Sequence, residues 1–289
     1  MLYSKPVTEV MRQRFSCRKY VDKSISEDEQ RRLSDFLASA EKGPFGTPVR
    51  FKIAAATEQD RNDLKGLGTY GMIKGATGFI IGAVGPSAKN LEDYGYLMER
   101  GILCATDIGL GTCWLGGTFT RSRFAKKISA GQGDLIPAVT SLGYIAERGK
   151  FEGKLRQFVD ADNRQSWDSL FYREKFGIPL SRDEAGVYAV PLDMVRIGPS
   201  ASNKQPWRII KDGNAWHFYL QRTKGYGNSF TFKLLRLADL QRVDMGIAMS
   251  HFELTASELG LRGTWVIGEP EIEKPDKTTE YTVSWLSST

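Results

Sequence analysis

The chain has 289 residues, 41% apolar and 26% charged, proportions of an ordinary globular protein that exclude disorder and collagen-like repetition. Its 40 basic and 34 acidic residues leave a formal charge of +6, a mild excess that suits phosphate-bearing small molecules. The basic residues are dispersed, with no zinc-finger, homeodomain or RNA-recognition spacing, so nucleic acid is not the expected partner.

In chain order, hydrophobic periodicity predicts helices at residues 8–14 and 27–41, a loop at 43–48 and a strand at 50–56. An apolar strand at 78–84 precedes a long helix, 91–108, stopped by Gly109. A short solvated helix carries Arg121, Arg123, Lys126 and Lys127, and strands are expected at 112–115 and 138–144. The remainder repeats the plan: a helix, a Pro-bounded loop, strands at 207–211 and 215–221, a long helix to Leu259, then strands at 263–267 and 281–286. Helices and strands mixed without regular β-α-β alternation indicate an α+β class. The apolar run at 78–85 is far shorter than the ~20 residues of a bilayer crossing. The N-terminus turns charged before any apolar core of a signal peptide develops, so a soluble, cytoplasmic protein is expected.

The repetition has landmarks. Ser26 and Glu29 form one S-x-x-E capping box and Ser181 and Glu184 another, 155 residues on. Gly43-Pro44 lies over Gly198-Pro199 at the same offset. Leu103-Cys-Ala-Thr-Asp-Ile-Gly-Leu110 matches Leu254-Thr-Ala-Ser-Glu-Leu-Gly-Leu261, and Trp114 matches Trp265, both at an offset of 151. A period this long is no solenoid. It reads as an internal duplication, a pseudo-dimer in one polypeptide, with a first half at 1–160, a second at 165–289 and a polar linker at 160–165.

Several familiar chemistries are poorly supported. Gly66-Leu-Gly-Thr-Tyr-Gly71 has dinucleotide-fingerprint spacing, but a charged stretch precedes it and a strand follows, the reverse of the required context. The two histidines, His217 and His251, have no partner at metal-ligand spacing, so no metal is expected. Three cysteines without C-x-x-C spacing make neither a disulfide framework nor a zinc site, and Cys17, despite Arg18 beside it, reads as an inert thiol.

Two stretches carry more. Gly198-Pro-Ser-Ala-Ser-Asn-Lys-Gln-Pro-Trp207 makes a tight loop whose hydroxyls, amides and backbone N–H groups can converge on one ligand. Arg14-Phe-Ser-Cys-Arg18 supplies two cations and a hydroxyl suited to a phosphate. With the G-L-G-T-x-W run at Gly109–Trp114 and a basic segment after Leu142-Gly-Tyr144, they resemble the nitroreductase family of flavoproteins over almost the whole chain, in the branch with two such halves fused.

That resemblance implies an α+β nitroreductase-like fold with FMN in an interface cleft. The implied reaction passes hydride from NAD(P)H through FMN to a nitroaromatic, quinone or similar acceptor. Arg14, Arg18, Arg156 and Lys154 would clamp the phosphate, and Ser16 would bond a ribityl or phosphate oxygen. Leu115, Gly116 and Gly117 would run along the isoalloxazine, and Pro199, Ser200, Ala201, Ser202 and Asn203 would line the opposite wall. No side chain is an obligatory catalyst, since the flavin carries the chemistry. Glycines at 116 and 117 replace the acidic residue some members have there.

The repeat is unequal at the site. The second half has Ser169, Phe171 and Arg173 where the first has Arg14, Ser16 and Arg18. The first half has Gly43-Pro-Phe-Gly-Thr-Pro48 where the second has the Ser200–Asn203 loop, and only the first carries Arg148, Lys150, Lys154 and Arg156 after its last strand. One FMN per chain is therefore expected, in a protein that completes its site as a monomer. The alternatives are a flavin reductase, ene-type reductase or dehalogenase on the same scaffold, or a flavin-binding protein without turnover.

Overall fold

The structure, a computed structural model, describes residues 2–39, 42–55, 64, 66–146, 163–226 and 238–288. Two sheets, the first antiparallel and the second antiparallel except for one parallel pair at its edge, flank a central pair of long helices. The first sheet has the order β1-β2-β4-β3, from β1 (Val49–Ala55), β2 (Gly78–Val84), β3 (Gly111–Leu115) and β4 (Val139–Gly143). The second has the order β5-β6-β7-β9-β8, from β5 (Phe171–Arg173), β6 (Trp207–Asp212), β7 (Ala215–Gln221), β8 (Gly263–Val266) and β9 (Thr279–Ser287). Without β5, the second sheet has the strand order of the first. The α+β expectation holds.

The helices are α1 (Val7–Gln13), α2 (Glu27–Ser39), α3 (Asn90–Asp107) and α4 (Arg121–Lys127), then α5 (Trp167–Leu170), α6 (Arg182–Ala185), α7 (Ala189–Ile197) and α8 (Leu240–Glu258). Both capping boxes form: Glu29 N donates to Ser26 Oγ and Ser26 N to Glu29 Oε2, and Glu184 N and Ser181 N repeat the exchange. The helix opened by Ser181 is broken where one continuous helix was expected. Gly186 takes φ 57 and ψ −132, a left-handed conformation only glycine adopts cheaply, so α6 passes through a 3₁₀ turn into α7.

β2 is buried along its whole length, and period-2 alternation gives each face a core. Ile80 and Val84 join the main core between the sheets, whereas Phe79, Ile81 and Ala83 join a second cluster around Phe119 and Phe124 of the α4 region. The stretch from Gly66 to Gly71 is a connection into β2 and opens no helix.

α3 and α8 cross at the centre of the molecule with backbones in contact. A Cβ added to Gly95 would lie 2.1 Å from the Val243 carbonyl oxygen, and one added to Gly246 would lie 2.0 Å from that of Glu92. Residues 95 and 246 are 151 apart, as are 92 and 243, so the two contacts are reciprocal. Because both helices are buried, their polar side chains need partners within the protein. Arg242 Nε reaches Glu92 at 2.9 Å, and Gln241 donates to Thr223 Oγ1 at 2.6 Å.

Candidate functional site

A cleft of about 670 Å³ opens over the α3–α8 crossing, between the chain leaving α1, the β3–α4 connection and the loop after α7. Arg14, Ser16, Arg18, Gly116, Gly117, Pro199, Ser200, Ala201, Ser202 and Asn203 all line it. Residues some 180 positions apart in sequence thus meet at one place. Leu115 does not line it: strand alternation turns Trp114 and Gly116 to the cleft and Leu115 into the second core cluster, 4% exposed. Lys154 and Arg156, with Arg148 and Lys150, lie outside the described residues. Met72, Trp114, Arg164, Leu240 and Asp244 also face the cleft. Of these, only Trp114 stands in a recognisable sequence pattern, as a repeat landmark and as the end of the G-L-G-T-x-W run.

One wall is pinned to the first sheet. Ser16 forms a parallel bridge with Thr112, and Cys17 N donates to the Thr112 carbonyl at 2.7 Å, so this segment lies beside β3 and its cations face the cleft. Arg18 donates weakly to the Ser16 carbonyl at 3.5 Å.

The other wall is a strained loop. Ser202, Asn203 and Gln205 take φ of 50, 53 and 48, a region that costs a non-glycine residue on the order of 1–3 kcal/mol and clusters at ligand sites. Its support is Gln205, 2% exposed. Gln205 N donates to Ser200 Oγ at 2.9 Å, its Oε1 accepts from Gln165 N at 2.9 Å, and its Nε2 donates to the Asn203 carbonyl at 3.1 Å. The Asn203 amide is tied back as well, donating to the Asn163 carbonyl at 2.7 Å and accepting from Arg164 at 2.5 Å. Gln205 and Asn203 therefore hold the loop's shape, a role the motif alone does not reveal.

Asp244 of α8 anchors this wall by accepting from Ala201 N at 2.9 Å through Oδ1, while its Oδ2 is buried with no hydrogen-bond partner among the described residues. Asp93, 151 residues earlier, uses both oxygens, accepting from Phe45 N at 2.9 Å and Thr47 N at 2.8 Å. Burial pushes the Asp244 carboxyl well above the usual carboxylate range, opposed by the Ala201 bond. Its folded pKa is the raised one, so folding is penalised progressively as pH rises above the unfolded value near 4. Asp244→Asn keeps the acceptor and cannot ionise. It is expected to be more stable than the wild type at neutral pH, with the gain vanishing below about pH 4, as read from urea midpoints at both pH values. An equal effect at both would show that ionisation plays no part.

The cleft floor is a buried polar cluster. Trp114 Nε1 donates to Glu99 Oε2 at 2.7 Å, His251 Nε2 lies 3.0 Å from Glu99 Oε1, and His251 Nδ1 lies 2.8 Å from the Met194 carbonyl. Arg14 Nε is 3.9 Å from Glu99 Oε1. His217, by contrast, sits in the second sheet against Ser284 Oγ at 2.6 Å, and burial lowers its pKa.

The corresponding second-half positions are spent otherwise. Phe171, the counterpart of Ser16, is fully buried with its ring 4.6 Å from that of Trp167. Its strand pairs with β6 rather than β8, so the segment has moved to the opposite sheet edge. Arg173 is engaged by Glu184 at 3.3 Å.

The family model described as "Putative TM nitroreductase" matches residues 6–256. Among solved structures, a putative nitroreductase from Thermotoga maritima superposes with a TM-score of 0.60 at 19% identity, covering 98% of this chain and 94% of that one. A nitroreductase with bound FMN from Bacteroides fragilis has a TM-score of 0.39 at 21% identity, over 50% of this chain and 91% of its own. A putative nitroreductase in complex with FMN from Desulfovibrio desulfuricans has a TM-score of 0.40 at 22% identity, over 51% and 90%. No curated protein sequence matches. Among the described residues no helix is long and apolar enough to cross a membrane.

Proposed function

Because the chain belongs to the "Putative TM nitroreductase" family, we propose that it is an FMN-dependent oxidoreductase. It would take hydride from NAD(P)H and deliver electrons to a nitroaromatic, quinone or similar acceptor, at one site per chain. The observation that carries this reading is the convergence of Arg14, Ser16 and Arg18 with Pro199 to Asn203 on one cleft. Its volume lies within the range of about 300–1,000 Å³ usual for cofactor pockets.

The residues suit the group. Cations line one part of the cleft for a phosphate, and a loop held in a strained shape faces them across it for a flat, polar ring system. The flavin, when bound, supplies hydride acceptance and electron transfer. Arg14 and Arg18 hold the phosphate through charge-assisted bonds, and Ser16 bonds a ribityl or phosphate oxygen. Gly116 and Gly117 offer backbone N–H groups to the ring edge. Ser200 to Asn203 orient its other side and exclude water from it. A cation beside the ring would favour a negative charge on it once reduced, with Arg14 or Arg18 the candidate, and no protein acid or base is required.

We read the chain as an internal duplication with halves 1–160 and 165–289, acting as a monomer. The shared strand order and the reciprocal Gly95 and Gly246 contacts support that reading. The diversion of Phe171 and the closure of the 43–48 loop onto Asp93 support a single site.

Reconstitution with FMN, followed by quantification of the released flavin, tests the proposal: one flavin per chain is expected, bleached by NADH or NADPH under anaerobic conditions. Two per chain would overturn the single site, and none would overturn the cofactor. A bound flavin that neither nucleotide bleaches would make the chain a flavin binder instead.

A further inference from the structure

One stripe of α8 looks onto the cleft. Leu240, Val243, Asp244 and Ile247 all line it, at the i, i+3, i+4, i+7 spacing of a single helical face. Val243, Asp244 and Ile247 are buried, and Asp244 is committed to the Ala201 backbone. Leu240, in the first turn, is the member of the stripe that stays partly exposed.

Its side chain meets the β3–α4 connection. A Cβ added to Gly116 would overlap Leu240 Cδ1 and would lie 2.9 Å from Cδ2 and 3.2 Å from Cγ. The leucine methyl groups therefore rest on the Gly116 backbone itself, and no ligand atom fits between the two. The start of α8 is braced in this position. Asp239 caps the helix and pairs with Arg222, and Leu240 N donates to the Tyr226 hydroxyl at 2.8 Å. These bonds hold the leucine backbone against Gly116.

The repeat supplies a contrast. Lys89 lies 151 residues before Leu240, and Ile267 lies 151 residues after Gly116. Lys89 is 3.9 Å from Glu92 and 6.0 Å from the centre of the Phe45 ring, so a charged side chain held within its own half fills the equivalent place. A bare glycine facing a branched apolar side chain is found at this seam and not at its repeat.

We propose that Leu240 is the specificity-determining residue of the cleft: seated on Gly116, it closes one side of the approach to the reacting ring edge and restricts the electron acceptor to compact, one-ring quinones or nitroaromatics. This rests on the FMN reading, in which Gly116 faces that edge. A wider fused-ring acceptor reaches the edge only by displacing the leucine.

The test uses the reconstituted holoprotein, photoreduced without oxygen and mixed with duroquinone, which has one ring, or phenanthrenequinone, which has three fused rings. In each case the quinone takes two electrons and two protons from the reduced flavin and leaves as the quinol, and the flavin returns to its oxidised form. The quantity read is the ratio of the two reoxidation rate constants, three-ring over one-ring. Leu240→Ala is expected to raise that ratio about tenfold, the low end for a change of apolar bulk in a pocket wall. Leu240→Phe adds bulk and is expected to lower it, and it carries the test if Leu240→Ala does not fold. A merely structural leucine would move the ratio in neither direction, and a ratio unchanged in both variants overturns the proposal.

A second readout needs no flavin. Gly116→Ala is expected to lower the urea midpoint of the wild type, and to lower it less than about half as much in the Leu240→Ala background, where the added methyl has room. Equal losses in the two backgrounds would mean that the leucine does not sit on Gly116, which overturns the proposal. Flavin content is measured before any acceptor is added. Wild-type protein that binds no FMN overturns the cofactor reading and this one with it, whereas bound, reducible flavin with a flat ratio overturns this one alone.

Discussion

Arg14→Ala combined with Arg18→Ala is expected to weaken FMN binding by about 100-fold or more. Each charge-assisted bond to a phosphate contributes about 1.5–3 kcal/mol, and about 1.4 kcal/mol is a factor of ten in affinity. Among the described residues Arg18 forms no ion pair, its guanidinium reaching the Ser16 carbonyl at 3.5 Å, so none of their acids competes with a phosphate for it. Titration with riboflavin, which lacks the phosphate, separates a clamp from a damaged fold. The variant should bind riboflavin within a few-fold of wild type while losing FMN. Added salt should weaken FMN binding in the wild type and much less in the variant. Equal losses for both flavins would show that the arginines support the cleft rather than the phosphate.

The second large effect is on stability. Gly95→Ala and Gly246→Ala each force a methyl group to about 2 Å from a helix carbonyl. A backbone oxygen at the crossing of two buried helices cannot rotate aside, so each substitution should cost about 3 kcal/mol, the upper part of the overpacking range. Against the total of about 5–15 kcal/mol typical of a folded domain, either one lowers the denaturant midpoint strongly. Gly268→Ala is the control, since a Cβ there meets nothing within 4 Å and should shift stability by less than about 0.5 kcal/mol. Equal midpoints for Gly246→Ala and Gly268→Ala would mean that the helices do not cross backbone to backbone.

The strongly periodic elements were legible in the sequence. β2 coincides with its predicted range, α3 is displaced by one residue, and both S-x-x-E boxes form the reciprocal bonds their spacing implied. β5 was not legible, because the choice between two sheet edges for Phe171 is made by packing against Trp167 and not by local propensity. The break at Gly186 was missed for a related reason: the capping signal fixes where a helix starts and says little about where it stops.

The site divides the same way. The motif loops named Arg14, Ser16, Arg18, Gly116, Gly117 and Pro199 to Asn203, all of which line the cleft. Leu115 is excluded by the strand alternation that turns it into the second core cluster, and Lys154 and Arg156 lie outside the described residues. Met72, Arg164, Leu240 and Asp244 line the cleft without a motif to announce them. What holds those residues was not readable. Glu99, Asp244 and His251 sit on helices whose neighbours are apolar, and a carboxylate on such a face has no meaning until its partner arrives from another element. For Glu99 that partner lies 152 residues away. A clue was present, since Asp93 and Asp244 recur at the spacing of the other landmarks and each anchors one Gly-Pro loop.

The walls of the cleft come from one polypeptide, residues 11–18 on one side and 197–203 on the other. A pocket built between separate subunits falls apart when the subunits do, and its ligand affinity then depends on how much protein is in the tube. Here the connecting chain keeps the second wall at a high effective concentration relative to the first. These two walls thus stay together at protein dilutions at which a pocket between separate subunits would have come apart.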